Sequence, residues 1–203
     1  SSGPVDLDSF SVTGAKHTHA DFFASSRTIS QFAAGNRPPR PDDVVVYIDG
    51  AFDLFHVGHI RALQLAKSFG TYLIVGIHED GVVNRAKGAN FPIMNVHERV
   101  LSVLQCKYVD EVITGAPWKV DEHLIDTFNV SVVAHGSTSD YPDELADPYR
   151  VPRERGILKV FTSEYPITTH TIIEQVLSHR AKYEQRNRLK QKSEQAYSTS
   201  GSA

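Results

Sequence analysis

The chain has 203 residues, of which 40% are hydrophobic and 22% are charged, and its formal net charge is -3. This length suits one domain of roughly 150 residues with tails. No apolar run approaches the ~20 residues that a bilayer-spanning helix needs, and the negative charge argues against a dedicated nucleic-acid binder. The single cysteine, Cys106, excludes an internal disulfide and fits a cytoplasmic location.

Composition divides the chain into three regions. Residues 1–43 show little periodicity and include the run GNRPPRP, so they are predicted as an N-terminal extension and linker. Residues 44–180 form the predicted domain. Residues 181–203 are predicted as a basic helix end followed by a disordered polar tail. The basic stretch has too few apolar residues for a membrane-binding face, which favours a solvated helix.

Within the domain, apolar runs rich in β-branched residues predict strands. These strands cover residues 44–48, 72–77, 109–114, 130–135 and 157–161. The helical patterns between them predict an α/β fold with a doubly wound parallel sheet of about five strands. Ligands of such sheets bind outside the carboxyl ends of the strands. The polar or small residues on that rim are residues 50–53, His78, residues 115–118 and residues 135–137.

The helices have recognisable start and stop signals. The first helix should run from the HVGH sequence to about residue 69, with Gly70 as its left-handed stop. The sequence NVHE, residues 95–98, has capping-box spacing and opens a helix that continues through Cys106. Lys87 falls in the loop before that helix. A short helix is predicted over residues 121–128.

The run VVVYIDGAFDLFHVGHI, residues 44–60, carries the clearest functional signal. A buried strand leads into a turn at Gly50, which has no Cβ to obstruct the change of direction, and then into a helix start. The free N–H groups and positive dipole of that helix predict an anion site. His56 and His59 share a helix face, and Gly58 leaves room for a phosphate. The alternatives are two ordinary structural histidines and, less favoured, a zinc pair that lacks further ligands.

HVGH, within GAFDLFHVGH, resembles the HxGH signature of the nucleotidyltransferase superfamily, whose fold is Rossmann-like. FPIMNVHERVLSVLQCKYVDEVITGAPW is similar to the lipid-head-group cytidylyltransferases, and residues 32 to about 183 most resemble the second half of the ethanolamine-phosphate members. The resemblance implies that CTP and ethanolamine phosphate form CDP-ethanolamine and pyrophosphate, with Mg²⁺ on the triphosphate and no protein metal site. It also implies an N-terminal catalytic domain on the same parent chain, and it leaves open a homodimer and choline phosphate as the substrate.

By this resemblance His56, His59 and Lys87 are catalytic. The nucleotide would contact Gly50, Ala51, Phe52, Asp53, Arg99, His135, Gly136, Thr168 and Thr169. Trp118 would pack over the amine of the second substrate by cation–π attraction. The alternatives are a solvated Lys87, a structural ion pair for Arg99, a lid on the core for Trp118 and a core position for His135.

Active members of the family carry Arg-Thr-x-Gly-Ile-Ser-Thr after the last strand, whose arginine and helix N-terminus grip the phosphates. The corresponding run here is SEYPITT, residues 163–169, in which Glu164 adds a negative charge and Pro166 removes a backbone donor. Loss of a transition-state arginine costs about 10³ to 10⁵ in rate. We therefore expect this domain alone to be nearly or wholly inactive. The competing classes are a competent cytidylyltransferase and a non-catalytic module that supports an absent active domain, and an adenylyltransferase is disfavoured.

Overall fold

The structure, a computed structural model, describes residues 27–29, 37–88, 90–137, 147–162, 165 and 167–200, with residues 27–29 and 195–200 described by their backbone alone. The chain divides into two compact units, Ser1–Pro166 and Ile167–Ala203. No helix within the described ranges combines the length and the apolar character that crossing a bilayer requires.

The first unit contains a six-stranded sheet with helices around it. Its strands are β1 Arg27–Ile29, β2 Val45–Gly50, β3 Tyr72–Ile77, β4 Glu111–Thr114, β5 Val130–Gly136 and β6 Leu158–Phe161. Its helices are α1 Val57–Lys67, α2 Asp80–Lys87, α3 Val96–Leu104, α4 Glu122–Thr127 and α5 Arg150–Glu154. The second unit contains α6 Thr169–Ser178 and α7 Arg180–Ser200.

The strand order is β1-β4-β3-β2-β5-β6. Strands β2 to β6 pair in parallel, whereas β1 pairs antiparallel with β4 at one edge. The five parallel strands confirm the predicted doubly wound α/β fold. Strand β1 was not predicted, because three residues within the irregular stretch 1–43 carry too little pattern to identify a strand.

Each face of the sheet is covered by an apolar layer, which explains why the strands are continuous apolar runs. The layer on the first face contains Val46 and Leu73. The layer on the second face contains Val45 and Tyr72. Because strand side chains alternate with a period of two, odd-numbered residues of β2 and even-numbered residues of β3 lie on the second face.

A crevice opens between β2 and β5. Their pairing in the described residues runs as far as Tyr47 opposite Val133, although β2 continues to Gly50 and β5 to Gly136. The chain order of the strands reverses here, since β3 lies on one side of β2 and β5 on the other. This is the switch point at which doubly wound sheets bind their ligands.

The predicted role of Gly70 is wrong. Helix α1 ends at Lys67, and its C-cap Ser68 has a right-handed conformation with φ of -69°. The glycines with positive φ in the described residues are Gly88, Gly115 and Gly156. Gly70 is instead required by close packing, because a Cβ there would lie 2.3 Å from the carbonyl oxygen of Val44.

The predicted loop before the second half of the domain is also wrong in part, because Lys87 is the last residue of helix α2. The sequence DGVVNRAK contains too few apolar positions for its helical period to be recognised. The predicted capping box is confirmed: the Asn95 side chain accepts from the N–H of Glu98 at 3.1 Å, and the Glu98 carboxylate accepts from the N–H of Asn95 at 2.8 Å. Helix α3 ends at Leu104, two residues earlier than predicted.

The second unit consists of the two C-terminal helices. Thr168 caps α6 by accepting a hydrogen bond from the N–H of Thr171 at 3.1 Å. Helix α7 extends to Ser200, into the region for which the sequence predicts a disordered tail. Residues 201–203 lie outside the described residues. The side chains of residues 181–194 are all exposed, as expected for a solvated basic helix.

Candidate active site

The site begins at the loop between β2 and α1. Phe52 and Leu54 have φ of 52° and 45°, in the left-handed region that bulky residues rarely occupy. Gly50, to which the sequence assigned the turn, is instead the last residue of the extended strand β2. A Cβ at Gly50 would lie 3.2 Å from the Phe52 ring, so the missing side chain makes room for this ring.

Asp53 fixes the loop in place. Its carboxylate is buried and accepts hydrogen bonds from the N–H groups of Leu54 at 3.1 Å, Ile93 at 2.7 Å and Met94 at 2.9 Å. The carboxylate therefore joins the β2–α1 loop to the segment before α3. The geometry is that of a positioning residue, and a contact between Asp53 and nucleotide stays a prediction.

His56 and His59 form a reciprocal cap at the start of α1. The Nδ1 atom of His56 accepts from the N–H of Gly58 at 3.1 Å, and the Nδ1 atom of His59 accepts from the N–H of His56 at 3.4 Å. The two rings stack with centroids 3.9 Å apart. The HxGH spacing is thus that of a capping box, in which His56 takes the N-cap position usually held by serine and His59 the N3 position usually held by glutamate. Because both Nδ1 atoms are acceptors, each neutral ring carries its proton on Nε2.

These two Nε2–H groups are the donors that this loop offers to a ligand. Burial lowers the pKa of His56, and it lowers the pKa of His59 to about 3, with the charges of His56 and Lys87 adding to the effect. Both rings are therefore neutral near pH 7. The Nε2 atom of His56 is buried and has no hydrogen-bond partner in the described part of the chain. Such a donor costs about 1–3 kcal/mol, which a phosphate oxygen would recover.

Arg99 is fully buried and contacts protein atoms on several sides. Its guanidinium donates to the carbonyl oxygens of Ala51 at 2.7 Å, His78 at 2.8 Å and Met94 at 3.1 Å. It also forms an ion pair of 2.5 Å with Asp80. Arg99 thereby ties the β2–α1 loop to the end of β3 and the start of α2. These contacts are those of the structural ion pair that the sequence left open, and contact with nucleotide stays a prediction.

A second group of residues lies on the second face of the sheet at the same carboxyl edge. Asp49 of β2, His78 after β3 and His135 of β5 come from three neighbouring strands. The Tyr149 hydroxyl donates a hydrogen bond to Asp49, and the Tyr149 ring lies 4.4 Å from the His135 ring. The Trp118 ring lies 5.3 Å from the His78 ring. We call these five residues the carboxylate subsite.

Asp49 gives this subsite its chemical character. Burial raises the pKa of Asp49, against the opposing effects of His78 and of the hydrogen bond from Tyr149. Its Oδ2 atom is buried and makes no hydrogen bond of good geometry among the residues that the structure describes, although the Tyr47 hydroxyl is near enough to help lower the pKa of Asp49. An unpaired buried carboxylate oxygen is costly, so a cation bound there would be strongly favoured. The same subsite contains the aromatic rings of Trp118 and Tyr149, and aromatic side chains are the kind that bind cations.

The remaining predicted residues are distributed more widely. Gly136 ends β5 beside the crevice, where a Cβ would lie 3.8 Å from the Phe161 ring. Thr168 and Thr169 belong to the second unit, and their contact with nucleotide stays a prediction. Ser163, Glu164 and Pro166, on which the expected loss of activity rests, lie outside the described residues.

Sequence reasoning missed two residues of the carboxylate subsite. Asp49 did carry a signal, because it continues the period of two that places Tyr47 on a buried face. Tyr149 carried none, since its role depends on a hydrogen bond to a residue 100 positions earlier in the chain. Local pattern contains no information about such a long-range contact.

Comparison with known proteins agrees with this geometry. Residues 47–200 match the family model described as cytidylyltransferase-like. The ethanolamine-phosphate cytidylyltransferase of Dictyostelium discoideum is 49% identical over 175 residues, which cover 85% of this chain and 48% of that protein. The ethanolamine-phosphate cytidylyltransferase of Arabidopsis thaliana is 47% identical over 199 residues, which cover 97% of this chain and 47% of that protein.

The choline-phosphate relatives are more distant. Human choline-phosphate cytidylyltransferase A is 38% identical over 165 residues, which cover 79% of this chain and 43% of that protein. The chain spans about half the length of the ethanolamine-phosphate relatives it matches. The resemblance found in the sequence is confirmed, and because the family model matches most of the chain, this protein belongs to the cytidylyltransferase-like family.

Proposed function

We propose that this chain is the second cytidylyltransferase-like half of a cytoplasmic ethanolamine-phosphate cytidylyltransferase. It binds CTP and ethanolamine phosphate but, by itself, converts them to CDP-ethanolamine and pyrophosphate slowly or not at all. The observation that carries the proposal is the pair of neutral imidazoles, His56 and His59, which present Nε2–H donors at the switch point, with the Nε2 atom of His56 unpaired among the described residues.

In the proposed reaction, an oxygen of ethanolamine phosphate attacks the α-phosphorus of CTP. The bond from that phosphorus to the bridging oxygen breaks, and pyrophosphate leaves with the electron pair. The attacking phosphate is already ionised, so no general base is needed. The protein must hold two anions in line and stabilise the charge that spreads over the transferred group. His56 and His59 are suited to that task as fixed hydrogen-bond donors, and Lys87 adds a positive charge near them.

The carboxylate subsite supports ethanolamine phosphate as the second substrate. Asp49 offers a buried, unpaired carboxylate oxygen to the ammonium group, beside the aromatic rings of Trp118 and Tyr149. The imidazole pair and the carboxylate subsite lie at the same carboxyl edge of the sheet, on either side of the end of β2. The relatives that are 46–49% identical are named for ethanolamine phosphate, which agrees with this assignment.

Mg²⁺ belongs to the proposal as an ion carried by the CTP phosphates. Within the described ranges, no group of three or more His, Cys, Asp or Glu side chains is arranged to hold a metal ion. Magnesium commonly keeps its waters and binds mainly through substrate phosphates, so the site fits Mg–CTP as a single substrate. The ion would neutralise charge on the departing pyrophosphate.

The low turnover rests on the sequence SEYPITT, which lacks the arginine of the family motif. An active N-terminal half on the same parent chain would then carry the reaction. The relatives' length supports this arrangement, since this chain matches 45–48% of each ethanolamine-phosphate relative. The alternative of a purely structural module predicts that the chain does not bind CTP.

Isothermal titration calorimetry of Mg–CTP against the wild type and His56→Ala tests the proposal. We expect binding by the wild type and a loss of about tenfold to a hundredfold in the variant, the value of one or two hydrogen bonds to a charged group. His97→Ala is the matched control, because His97 is an exposed histidine of α3. A wild type that shows no CTP binding would refute the nucleotide site, and turnover equal to that of a full-length relative would refute the low activity.

A further inference from the structure

His78 has a fixed orientation of its imidazole hydrogen. The residue is 4% exposed, and its Nδ1 atom lies 3.0 Å from the carbonyl oxygen of Ala116. A carbonyl oxygen can only accept, so Nδ1 carries the hydrogen and donates it. In the neutral ring Nε2 is then an acceptor, and it has no hydrogen-bond partner among the described residues.

The backbone of His78 is equally constrained. Its N–H donates to the carbonyl oxygen of Gly50 at 3.2 Å, and its carbonyl oxygen accepts from Arg99 at 2.8 Å. The residue is thus held at both peptide groups and at Nδ1. A side chain held in this way can present one acceptor at a defined place with little entropy to lose on binding.

The surroundings of His78 combine this acceptor with a site for a cation. Its ring is 5.3 Å from the ring of Trp118, and its N–H donates to the carbonyl oxygen of Gly50, the residue directly after Asp49 in β2. The Oδ2 atom of Asp49 is itself buried and unpaired in the described structure. The subsite therefore holds two unsatisfied acceptors, one charged and one neutral.

Two acceptors distinguish between classes of amine. A primary ammonium has three N–H donors and can satisfy Asp49 Oδ2 and His78 Nε2 together. A quaternary ammonium has no N–H, so it can be attracted to Asp49 and the aromatic rings but leaves both acceptors without a hydrogen bond. Sites that hydrogen-bond a substrate reject analogues that lack the donor, because their own buried polar groups are then left unpaired.

We propose that His78 is a specificity-determining residue that selects a primary ammonium over a quaternary ammonium by accepting an N–H through Nε2. This inference rests on the proposed function, because it concerns the second substrate of the same site. Asp49 supplies attraction for either cation, whereas His78 supplies the discrimination.

The test compares the affinities of ethanolamine phosphate and choline phosphate for the wild type and for His78→Asn by calorimetry. The asparagine amide can still donate to Ala116 from near the position of Nδ1, but it places nothing at the position of Nε2. We expect the wild type to prefer ethanolamine phosphate, and the ratio of affinities to fall by about tenfold or more in the variant, the value of a hydrogen bond to a charged group. His78→Gln, whose amide oxygen reaches further, should restore part of the preference.

His97→Asn is the matched control and should keep the wild-type ratio, since His97 is exposed on α3. An unchanged ratio in His78→Asn, or failure of the wild type to bind either head group, would overturn the role of His78. CTP binding measured on the same wild-type sample reports the proposed function separately. Circular dichroism of each variant shows whether it has folded. If His78→Asn does not fold, the ratio of affinities in His78→Gln tests the role of His78.

Discussion

Replacing Arg99 by methionine should destabilise the protein more than any surface arginine substitution does. Arg99 is fully buried and donates to three carbonyl oxygens and to Asp80. Its removal therefore leaves acceptors in three separate segments without a donor. Four hydrogen bonds from a charged donor would sum to about 6–12 kcal/mol if they were additive, but Asp80 and the loop carbonyls can be rehydrated after the loss. Asp80 is 45% exposed and loses little, but each carbonyl oxygen left without a donor costs about 1–3 kcal/mol, so we expect a loss of about 3–5 kcal/mol after partial rehydration.

Urea denaturation followed by circular dichroism measures this loss. With a slope of about 1–3 kcal/mol per molar urea, the midpoint of Arg99→Met should fall by about 1–5 M. Arg155→Met is the control, since Arg155 also pairs with two carboxylates, Glu122 and Asp126, but is 32% exposed. Its midpoint should change little, because exposed ion pairs contribute little to stability.

The same variant separates the two interpretations of Arg99. If Arg99 positions the β2–α1 loop, CTP affinity and stability should fall together in Arg99→Met, and Arg99→Lys should recover part of both. If CTP binding disappeared while the urea midpoint stayed at the wild-type value, Arg99 would be a direct ligand of the phosphates, and the positioning role would be refuted.

Two further predictions concern stability. Burial holds the pKa of His59 near 3 in the folded state, whereas an unfolded histidine titrates near 6.5. As the pH falls below about 6.5, the unfolded chain therefore binds a proton at His59 that the folded chain does not. The folded state loses stability relative to the unfolded state between about pH 6.5 and pH 3. The free energy of unfolding, measured in urea, should fall between pH 7 and pH 5 by about 1–2 kcal/mol less in His59→Asn than in the wild type. An equal fall in the two proteins would contradict the lowered pKa of His59. Gly70→Ala should cost about 1–3 kcal/mol, since its Cβ would lie 2.3 Å from the Val44 carbonyl oxygen. Gly81→Ala, whose Cβ would meet only the Arg85 side chain at 3.8 Å, should be neutral or mildly stabilising, and a Gly70→Ala protein as stable as this control would refute the packing argument.

The sequence alone determined the architecture of the sheet and the position of the phosphate-binding loop. Hydrophobic period and turn residues are local properties, so the five parallel strands could be recognised from residues within each segment. The HVGH sequence was found in the same way, because its spacing is a property of one helix turn. Even the reciprocal imidazole cap follows from that spacing, although the sequence was interpreted only as placing His56 and His59 on one face.

Tertiary structure alone decided how the loop is held and what lies opposite it. The left-handed residues are Phe52 and Leu54 and not Gly50, because Asp53 and Arg99 hold the loop through hydrogen bonds to distant backbone groups. Tyr149 reaches Asp49 only once β2 and β5 are neighbours. Such contacts join residues that are far apart in the chain, and their energies depend on burial, which no local pattern of residues contains.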